Sequence, residues 1–388
     1  MNRPLTLLGC ASAALTLALT GCTDNPGTSS AGGPASGALS VVTTDDACRV
    51  SATEAPSGTL TFSVTNEGTT VTEFYVLASD KLRIIGEVEN IGPGLTRDLV
   101  LKAPAGLYVT ACKPGMTGAG IQAAFTVTES GADLSPSGAE ADLLAQANTA
   151  YSAYVKDQTE QLVAQTSSFV AAYTAGRDDE ARGLYPTARV HWERIETVAE
   201  SFGDLDPRMD AREADLEPGQ DWTGWHVMEK DLWPPASGYT PLTPARRRQI
   251  ADLLVTDTAT LFERTRTMTF TADQIGNGAK GLLDEVATGK VTGEEEIWSH
   301  TDLWDFQANV DGARVAWQGL QPLLRTRDAA LDAQLATRFA DLQRLLDSHR
   351  RGDGFVTYDT LTPVQVKALS DAVNALSEPI SRLTAAVV

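Results

Sequence analysis

Residues 125–154 read FTVTESGADLSPSGAEADLLAQANTAYSAY, and the spacing of the apolar residues changes within this stretch. Before Gly131, apolar and polar residues alternate as they do in a strand. After Gly138, the apolar residues recur with the period of a helix. The segment between these glycines is rich in Gly, Ser, Ala and Pro, a composition typical of a linker. The sequence therefore predicts an all-β domain followed by an all-α domain, joined by a linker at residues 130–139.

The region before this linker, residues 41–129, is expected to form the β domain. Short runs rich in β-branched residues alternate with turn signals, a spacing that predicts a small antiparallel sandwich. The runs lie at residues 60–65, 74–77, 82–85, 98–101, 107–110 and 125–128. The arrangement resembles a cupredoxin, in which a cysteine such as Cys112 is followed shortly by a methionine such as Met116. A blue-copper site also needs two histidines, and this region contains none, so such a site is not expected.

Two cysteines, Cys48 and Cys112, fall in this β domain. In an oxidising compartment such a pair predicts one disulfide, which would restrict the unfolded chain by closing a long loop. The alternative is a second metal site, for copper or another metal, formed by Cys48, Cys112, Met116 and a carboxylate such as Glu73. The sequence leaves both interpretations open.

Residues 140–388 are expected to form the helical domain. Apolar residues fall on one helical face between Leu143 and Tyr173, and similar stripes recur at residues 250–262 and 331–346. Glycines interrupt these stripes and divide the chain into several helices. The layout predicts one or two four-helix bundles.

The N-terminus has the pattern of a lipoprotein signal. An apolar run from Leu5 to Leu19 is too short to span a membrane, so residues 1–21 are predicted to be a signal peptide. The run ends in Leu-Thr-Gly-Cys, which predicts cleavage before Cys22 and lipidation of its thiol. Residues 22–40 are mostly small, polar, Gly and Pro, a composition typical of a flexible tether. We therefore expect an extracytoplasmic protein that is lipid-anchored to the cell membrane.

The chain of 388 residues is acidic, with a formal net charge of -20 from 31 basic and 51 acidic residues. Binding to nucleic acid is not expected, because the phosphate backbone requires a basic surface. An acidic surface favours cations, although it also serves simply to keep an extracytoplasmic protein soluble.

Three stretches of the helical domain carry candidate metal ligands. In the first, residues 190–200, the glutamates Glu193, Glu196 and Glu200 are spaced to share one face of a helix. Three carboxylates on one face repel one another. The pattern therefore needs either full solvation or a cation between the side chains.

The second stretch, residues 222–233, contains His226 and Glu229 three residues apart. On a helix these two side chains point the same way and form half of a metal site. Helical bundles build carboxylate metal centres from such pairs on facing helices.

In the third stretch, residues 292–306, the consecutive acids 294–296 precede His300. Glu296 lies four residues before this histidine, a helical spacing compatible with metal binding. Equally, acids at this position serve the start of a helix, where the helix dipole favours negative charge. Asp302 would then cap that helix or form a hydrogen bond with His300.

Together these stretches resemble the imelysin-like family, and nearly the whole chain resembles the EfeO-type iron uptake lipoproteins. The family motif Gly-x-His-x-x-Glu occurs here as residues 224–229. The stretches at residues 191–196 and 299–306 and the upstream β domain occur in the order that the resemblance requires.

The resemblance implies an iron-binding protein that works with a membrane iron permease and a haem-type peroxidase. It implies that ferrous or ferric iron is held by acids and a histidine of the helical domain. The β domain would be an accessory that holds copper or helps to oxidise iron. Carried over by motif, the candidate metal ligands are Glu193, Glu196 and His226. The resemblance adds Asp210 and one acid of residues 294–296, for which Glu295 is taken although no motif fixes the choice. Glu229 of the half-site and His300 of the third stretch complete the candidate set.

Two other classes of function stay open on the sequence. One is a metallopeptidase-like enzyme, although the usual zinc protease signature has two histidines four residues apart. Neither His191 nor His226 is followed by a histidine at that spacing. The other is a solute- or polysaccharide-binding module, in which the tryptophans between residues 192 and 233 would form a platform instead of a core. Iron is the expected ligand, with copper and zinc as alternatives.

Overall fold

The computed structural model describes the two predicted domains but not the N-terminus. The described residues are 37–81, 84–116, 118–131, 138–216 and 219–388. The predicted signal peptide, the lipidation site Cys22 and most of the tether at residues 22–40 lie outside them, as do residues 132–137 of the linker and the start of the run at 82–85. No helix in the described part of the chain is both long and apolar enough to cross a membrane.

The N-terminal region is rich in strands. Its elements are β1 (Leu39–Thr43), β2 (Cys48–Val50), β3 (Glu54–Pro56), β4 (Gly58–Asn66), β5 (Thr72–Ala78), β6 (Ile84–Ile91), β7 (Thr96–Ala103), β8 (Gly106–Cys112) and β9 (Ile121–Thr128). They form one sheet of order β2-β1-β4-β7 and another of order β3-β9-β8-β5-β6.

The direction of two strand pairs differs from the prediction. β1 runs parallel to β4 and β3 runs parallel to β9, whereas the other pairs in these two sheets are antiparallel. The prediction of a purely antiparallel sandwich is therefore wrong. The alternation of apolar residues shows which face of a strand is buried, and it carries no information about strand direction.

The core of the β region lies between the two sheets. Leu60, Phe62 and Val64 alternate along β4 and are buried, and the Phe62 ring packs against those of Phe74 and Phe125. A disulfide between Cys48 in β2 and Cys112 in β8 links the sheets. Because both sulfur atoms are in this bond, neither is a thiolate that could bind metal.

The C-terminal region is helical. Its elements are α1 (Gly138–Thr174), α2 (Asp178–Glu193), α3 (Leu205–Asp210), α4 (Trp225–Leu232), α5 (Pro244–Thr265), α6 (Ala272–Thr288), α7 (Asp302–Arg327), α8 (Ala329–Asp347), α9 (Pro363–Ile380) and α10 (Leu383–Val387), with a short hairpin of β10 (Arg350–Arg351) and β11 (Gly354–Phe355). A single apolar cluster runs through these helices. Trp192 and Trp225 belong to this core and have no exposed surface.

Helix α6 holds the two regions together by packing on β6 and β7. Asp273 accepts a hydrogen bond from the backbone N–H of Lys102 at 3.0 Å, and the Asn277 side chain donates to the carbonyl of Val100 at 2.8 Å. Because these bonds involve backbone groups of β7, they fix the sheet against the helix. A cavity of about 760 Å³ lies beside this contact, lined by both regions.

Candidate metal centre

The motif that contains His226 begins at a tight contact between helices. Gly224 has a φ of 88°, and a Cβ atom there would collide with the backbone of Met209 in α3. Glycine avoids this collision and tolerates the left-handed conformation. The glycine of the motif therefore brings α4 against the end of α3, and with it His226 close to Asp210.

Three elements bring ligand atoms together around this histidine. His226 Nε2 lies 3.4 Å from Asp210 Oδ1, at the end of α3, and 3.6 Å from Glu295 Oε1, in the turn before α7. The three side chains are at most 7% exposed. Their ligand atoms all lie within 4.8 Å of one another. This group is compact enough to bind one metal ion.

Two further groups adjoin the first. Glu193, Glu196 and Asp210 also offer atoms within 4.8 Å of one another, and so do His226, Glu229 and Glu296. Asp210 and His226 each belong to two of the three groups. We call the residues of all three groups the acidic centre.

Glu229 positions the turn that carries Glu295. Its Oε1 accepts hydrogen bonds from the backbone N–H groups of Trp298, at 2.9 Å, and Ser299, at 2.7 Å. Its Oε2 lies 3.3 Å from His226 Nδ1. One side chain therefore orients both the imidazole and the turn opposite it.

Arg189, on α2, lies inside the acidic centre with no exposed surface. Its guanidinium bridges the carboxylates of Glu193 and Asp210, and it lies 2.8 Å from Glu296 and 3.2 Å from Glu295. A planar guanidinium offers five donors in a fixed geometry. Arg189 therefore holds four carboxylates from three segments in place and compensates part of their charge.

Glu193 and Glu196 are bridged by two other side chains. Lys290 Nζ lies 2.7 Å from an oxygen of each glutamate. The Asn309 side chain donates to the same two oxygens, at 2.9 and 2.8 Å, and to the backbone carbonyl of Glu193. The last of these bonds caps the end of α2.

This cap accounts for one difference from the sequence prediction. Helix α2 ends at Glu193, and a 3-10 helix begins at Glu196, so the interpretation of residues 190–200 as one continuous helical face is wrong. Glu193 and Glu196 still meet, because Lys290 and Asn309 bridge them across the break. The acids 294–296 likewise lie in a turn instead of starting a helix, since α7 begins at Asp302.

The charges in the centre keep two of the acids ionised. Burial alone would raise the pKa of Asp210, but Arg189 and His226 hold it well below its ordinary value. Burial acts in the same direction on Glu295, and there Lys290 and His226 lower the pKa to about 2. Both carboxylates are therefore available to a cation at neutral pH.

The pKa of His226 is raised, in contrast to the lowered pKa values of Asp210 and Glu295. Burial and the charge of Arg189 both act to lower it, yet hydrogen bonds to Asp210, Glu229 and Glu295 raise it well above the ordinary value. A metal ion that binds His226 must therefore displace a proton.

Acids of both domains line the cavity. They include Glu73, Glu87, Glu89, Asp206, Glu285 and Glu295. Burial raises the pKa of Asp206 and that of Glu285 to about 7, with further contributions from neighbouring charges. The acidic centre therefore opens onto a space lined by acids whose pKa values are in part raised.

The structure brings some of the predicted site residues together and leaves others apart. Glu73 and Met116 both line the cavity. The Tyr75 hydroxyl donates a hydrogen bond to the Glu73 carboxylate at 2.7 Å. Cys48 and Cys112 are bonded to each other in the disulfide and do not join a metal site. His300 belongs to none of the three ligand groups found among the described residues. The backbone N–H of His300 instead donates to the carbonyl of Glu296, and its own carbonyl accepts from the backbone N–H of Tyr358.

Sequence reasoning gave no role to Arg189, Lys290 or Asn309. Arg189 lies four residues before Glu193, a helical spacing that could have suggested an ion pair. Lys290 and Asn309 lie 97 and 116 residues from Glu193 along the chain. No local pattern could have connected them to it.

Comparisons with known proteins show the family to which this chain belongs. The imelysin family model matches residues 147–383, which include the whole acidic centre. The iron uptake system component EfeO of Escherichia coli O157:H7 is 36% identical over 348 residues, which cover 89% of this chain and 90% of the relative. The chain belongs to the EfeO-type proteins of the imelysin family. The resemblance predicted from the sequence is thereby confirmed.

One further relative by sequence and one solved structure match as well. An Efem/EfeO family lipoprotein of Staphylococcus haemolyticus is 42% identical over 243 residues, which cover 62% of this chain and 83% of the relative. A solved structure from Parabacteroides distasonis, described as an iron-regulated protein A precursor, aligns with a TM-score of 0.50. It is 14% identical and covers 67% of this chain and 97% of its own. That likeness concerns the fold alone.

Proposed function

We propose that this protein binds an iron ion, as Fe(II) or Fe(III), and delivers it to a membrane iron permease. The ion would bind at Asp210, His226 and Glu295, with Glu193 and Glu196 as further ligands. One observation carries the proposal: two carboxylates and an imidazole from three separate elements offer atoms within 4.8 Å of one another, and these side chains are at most 7% exposed.

The chemistry of these ligands supports iron. Carboxylate oxygens are hard ligands, and together with one imidazole they suit Fe, Mn and Zn better than Cu(I). Five carboxylates, those of Glu193, Glu196, Asp210, Glu295 and Glu296, lie around Arg189 and Lys290. Buried carboxylates in excess over cations are costly unless they are protonated or another cation binds.

The names of the relatives support the cellular setting. The Escherichia coli relative is named an iron uptake system component and the Staphylococcus haemolyticus relative a lipoprotein. We infer an extracytoplasmic protein anchored through lipid at Cys22, which works with a membrane permease and a haem-type peroxidase of one uptake system.

We assign the β region an accessory role as a cupredoxin-like sandwich that forms one wall of the cavity. Glu73 and Met116 line this wall and are the candidate ligands for copper or zinc there. A ferroxidase-type step would require copper at that position, since zinc has no redox chemistry; Cu(II) would accept one electron from Fe(II), and an external oxidant such as dioxygen would reoxidise the copper. We propose binding and delivery as the main function, and catalysis only as this accessory step.

Isothermal titration tests the proposal on the chain without its first 22 residues. Separate titrations use Fe(II) under anaerobic conditions, Fe(III) citrate, Mn(II), Zn(II) and Cu(II). We expect tight binding of about one iron ion per chain at the acidic centre. Binding of Cu(II) alone, abolished by Met116→Ala and not by His226→Ala, would move the site to the β region. Absence of binding by any of the metals would refute the proposal.

A further inference from the structure

Lys290 occupies a position within the acidic centre where a metal ion could bind. Its ammonium lies 2.7 Å from Glu193 Oε2, 2.7 Å from Glu196 Oε2 and 3.8 Å from Glu295 Oε1, and the residue is 1% exposed. Glu193 and Glu196 form one of the three candidate ligand groups with Asp210. An ammonium ion of the protein itself therefore holds carboxylates that the proposed iron ion needs.

Arg189 is also a buried cation of this centre, and its attachment differs from that of Lys290. The guanidinium projects from the regular helix α2 and contacts acids on several sides at once. Lys290 instead begins the short 3-10 segment Lys290–Thr292, which lies between Gly289 and Gly293. A lysine also has a flexible four-carbon chain and a compact charge, whereas an arginine has a rigid fork. Lys290 can therefore move with less disturbance than Arg189.

A displaced Lys290 ammonium would have both space and partners. Lys290 lines the cavity of about 760 Å³, together with Asp206 and Glu285. Each of these acids already feels the charge of Lys290, which acts to lower its pKa. An ammonium that turned into the cavity would approach these carboxylates and would remain compensated outside the metal position.

We propose that Lys290 is an internal competitor for the metal ion. Its ammonium holds Glu193 and Glu196 in the metal-free protein, and the incoming ion displaces it toward the cavity. This inference rests on the proposed function and adds a means of release. Because the ammonium must leave before the ion can use these carboxylates, it lowers the apparent affinity. Its return promotes release of the ion to a partner.

The first test replaces the ammonium by a neutral side chain of similar length, in Lys290→Met. The matched control is Lys280→Met, which removes a lysine that pairs with Asp284 on α6, outside the ligand groups. Titration with Mn(II) and with anaerobic Fe(II) should give a Kd about tenfold lower in Lys290→Met. The Kd of Lys280→Met should equal that of the wild type. Equal or weaker binding by a folded Lys290→Met would overturn the inference.

A second test uses the wild-type chain and does not depend on how the variant folds. Lysines are acetylated briefly with and without Mn(II), and the modified sites are quantified by mass spectrometry. Lys290 should be protected in the metal-free protein and become several-fold more reactive when the metal is bound, with Lys280 as the internal reference. Lys290 that stays protected in the metal-bound protein would refute displacement.

The two tests separate the inference from the proposed function. If the wild type binds metal while neither Lys290→Met nor the labelling shows an effect, the metal centre stands and the competitor fails. If neither the wild type nor Lys290→Met binds any metal, the proposed function fails, and the inference fails with it.

Discussion

The two walls of the cavity are both acidic, and they differ in how their charges are balanced. On the β wall, burial raises the pKa of Glu73 and raises that of Glu89 well above its ordinary value. On the helical wall, Lys290 lies among the acids, the buried Arg189 bridges Asp210 to Glu193, and the pKa values of Asp210 and Glu295 are lowered. Two acids of the β wall are thus shifted toward their protonated form, whereas two acids of the helical wall stay ionised.

This difference teaches that a count of carboxylates does not identify a metal site. A buried carboxylate without a nearby cation takes up a proton instead of staying charged. Buried cations keep a carboxylate ionised, and His226 adds a nitrogen ligand that the β wall lacks among its described residues. We therefore assign the ion to the helical wall, and the following predictions test that assignment in order of expected size.

The largest effect should come from removal of the disulfide, and it should stay within the β region. Cys48 and Cys112 are 64 residues apart, so the double variant Cys48→Ser/Cys112→Ser should lose about 4 kcal/mol of unfolding free energy from the β region. Urea unfolding followed by far-UV circular dichroism measures this loss. Manganese affinity, measured by titration below the unfolding transition, should stay within twofold of the wild type.

A loss of metal affinity in the double variant, together with its loss of stability, would contradict the assignment of the ion to the helical wall alone. If the double variant bound Mn(II) much more weakly while its helical signal survived, the β wall would contribute directly to the site. The wild type treated with reductant is the control for effects of the serine side chains.

The next effect in size should come from the imidazole. His226→Ala should weaken Mn(II) or Fe(II) binding about 100-fold, or about 2.7 kcal/mol, because the ion loses its nitrogen ligand. The matched control is His191→Ala, since His191 bonds to Gln158 and lies outside the three ligand groups. Titration gives the affinities, and helical circular dichroism should be unchanged in both variants. Equal affinities in the two variants would remove His226 from the site.

Part of this site was predictable because its geometry is local. His226 and Glu229 are three residues apart on α4, and helical spacing alone places them on one face. Asp210 and one acid of residues 294–296 came from the resemblance, which added positions that no spacing could supply but did not fix the choice of Glu295. The division into strand-rich and helical regions followed from the change of period near Gly131.

The rest depends on contacts between distant residues. The end of α2 at Glu193 is fixed by the Asn309 side chain, and Gly312 of α7 lets that helix approach the carbonyl of Arg194. Neither contact could be predicted from the sequence near residue 193, because the partner residues lie more than 100 positions away. Lys290 was missed for the same reason, since only the fold brings it to Glu193 and Glu196.

A smaller effect for each pH unit is expected from proton competition at His226. Its pKa is raised in the metal-free protein, so at pH 7 the ring carries a proton that must leave when metal binds. Affinity should fall by up to about tenfold for each pH unit between pH 7 and pH 5. Glu295, with a pKa of about 2, stays ionised over this range and adds little to the loss.

Titration in two buffers of different ionisation enthalpy measures the protons released. About one proton per bound ion is expected for the wild type and for His191→Ala, and fewer for a chain with His226→Ala. Binding of equal strength from pH 7 to pH 5 would contradict the raised pKa of the histidine and its role as a ligand.

The smallest effect should come from the β wall itself. Glu89→Gln should change manganese affinity by less than about twofold, because burial and the adjacent Glu87 keep this carboxyl protonated, and a protonated acid attracts cations weakly. Glu54→Gln is the matched control, since Glu54 is exposed on β3, at the opposite edge of the same sheet. Titration gives the affinities and stopped-flow mixing the association rates. A tenfold loss in Glu89→Gln alone would mean that the β wall supplies a ligand, and the two walls would then form one site.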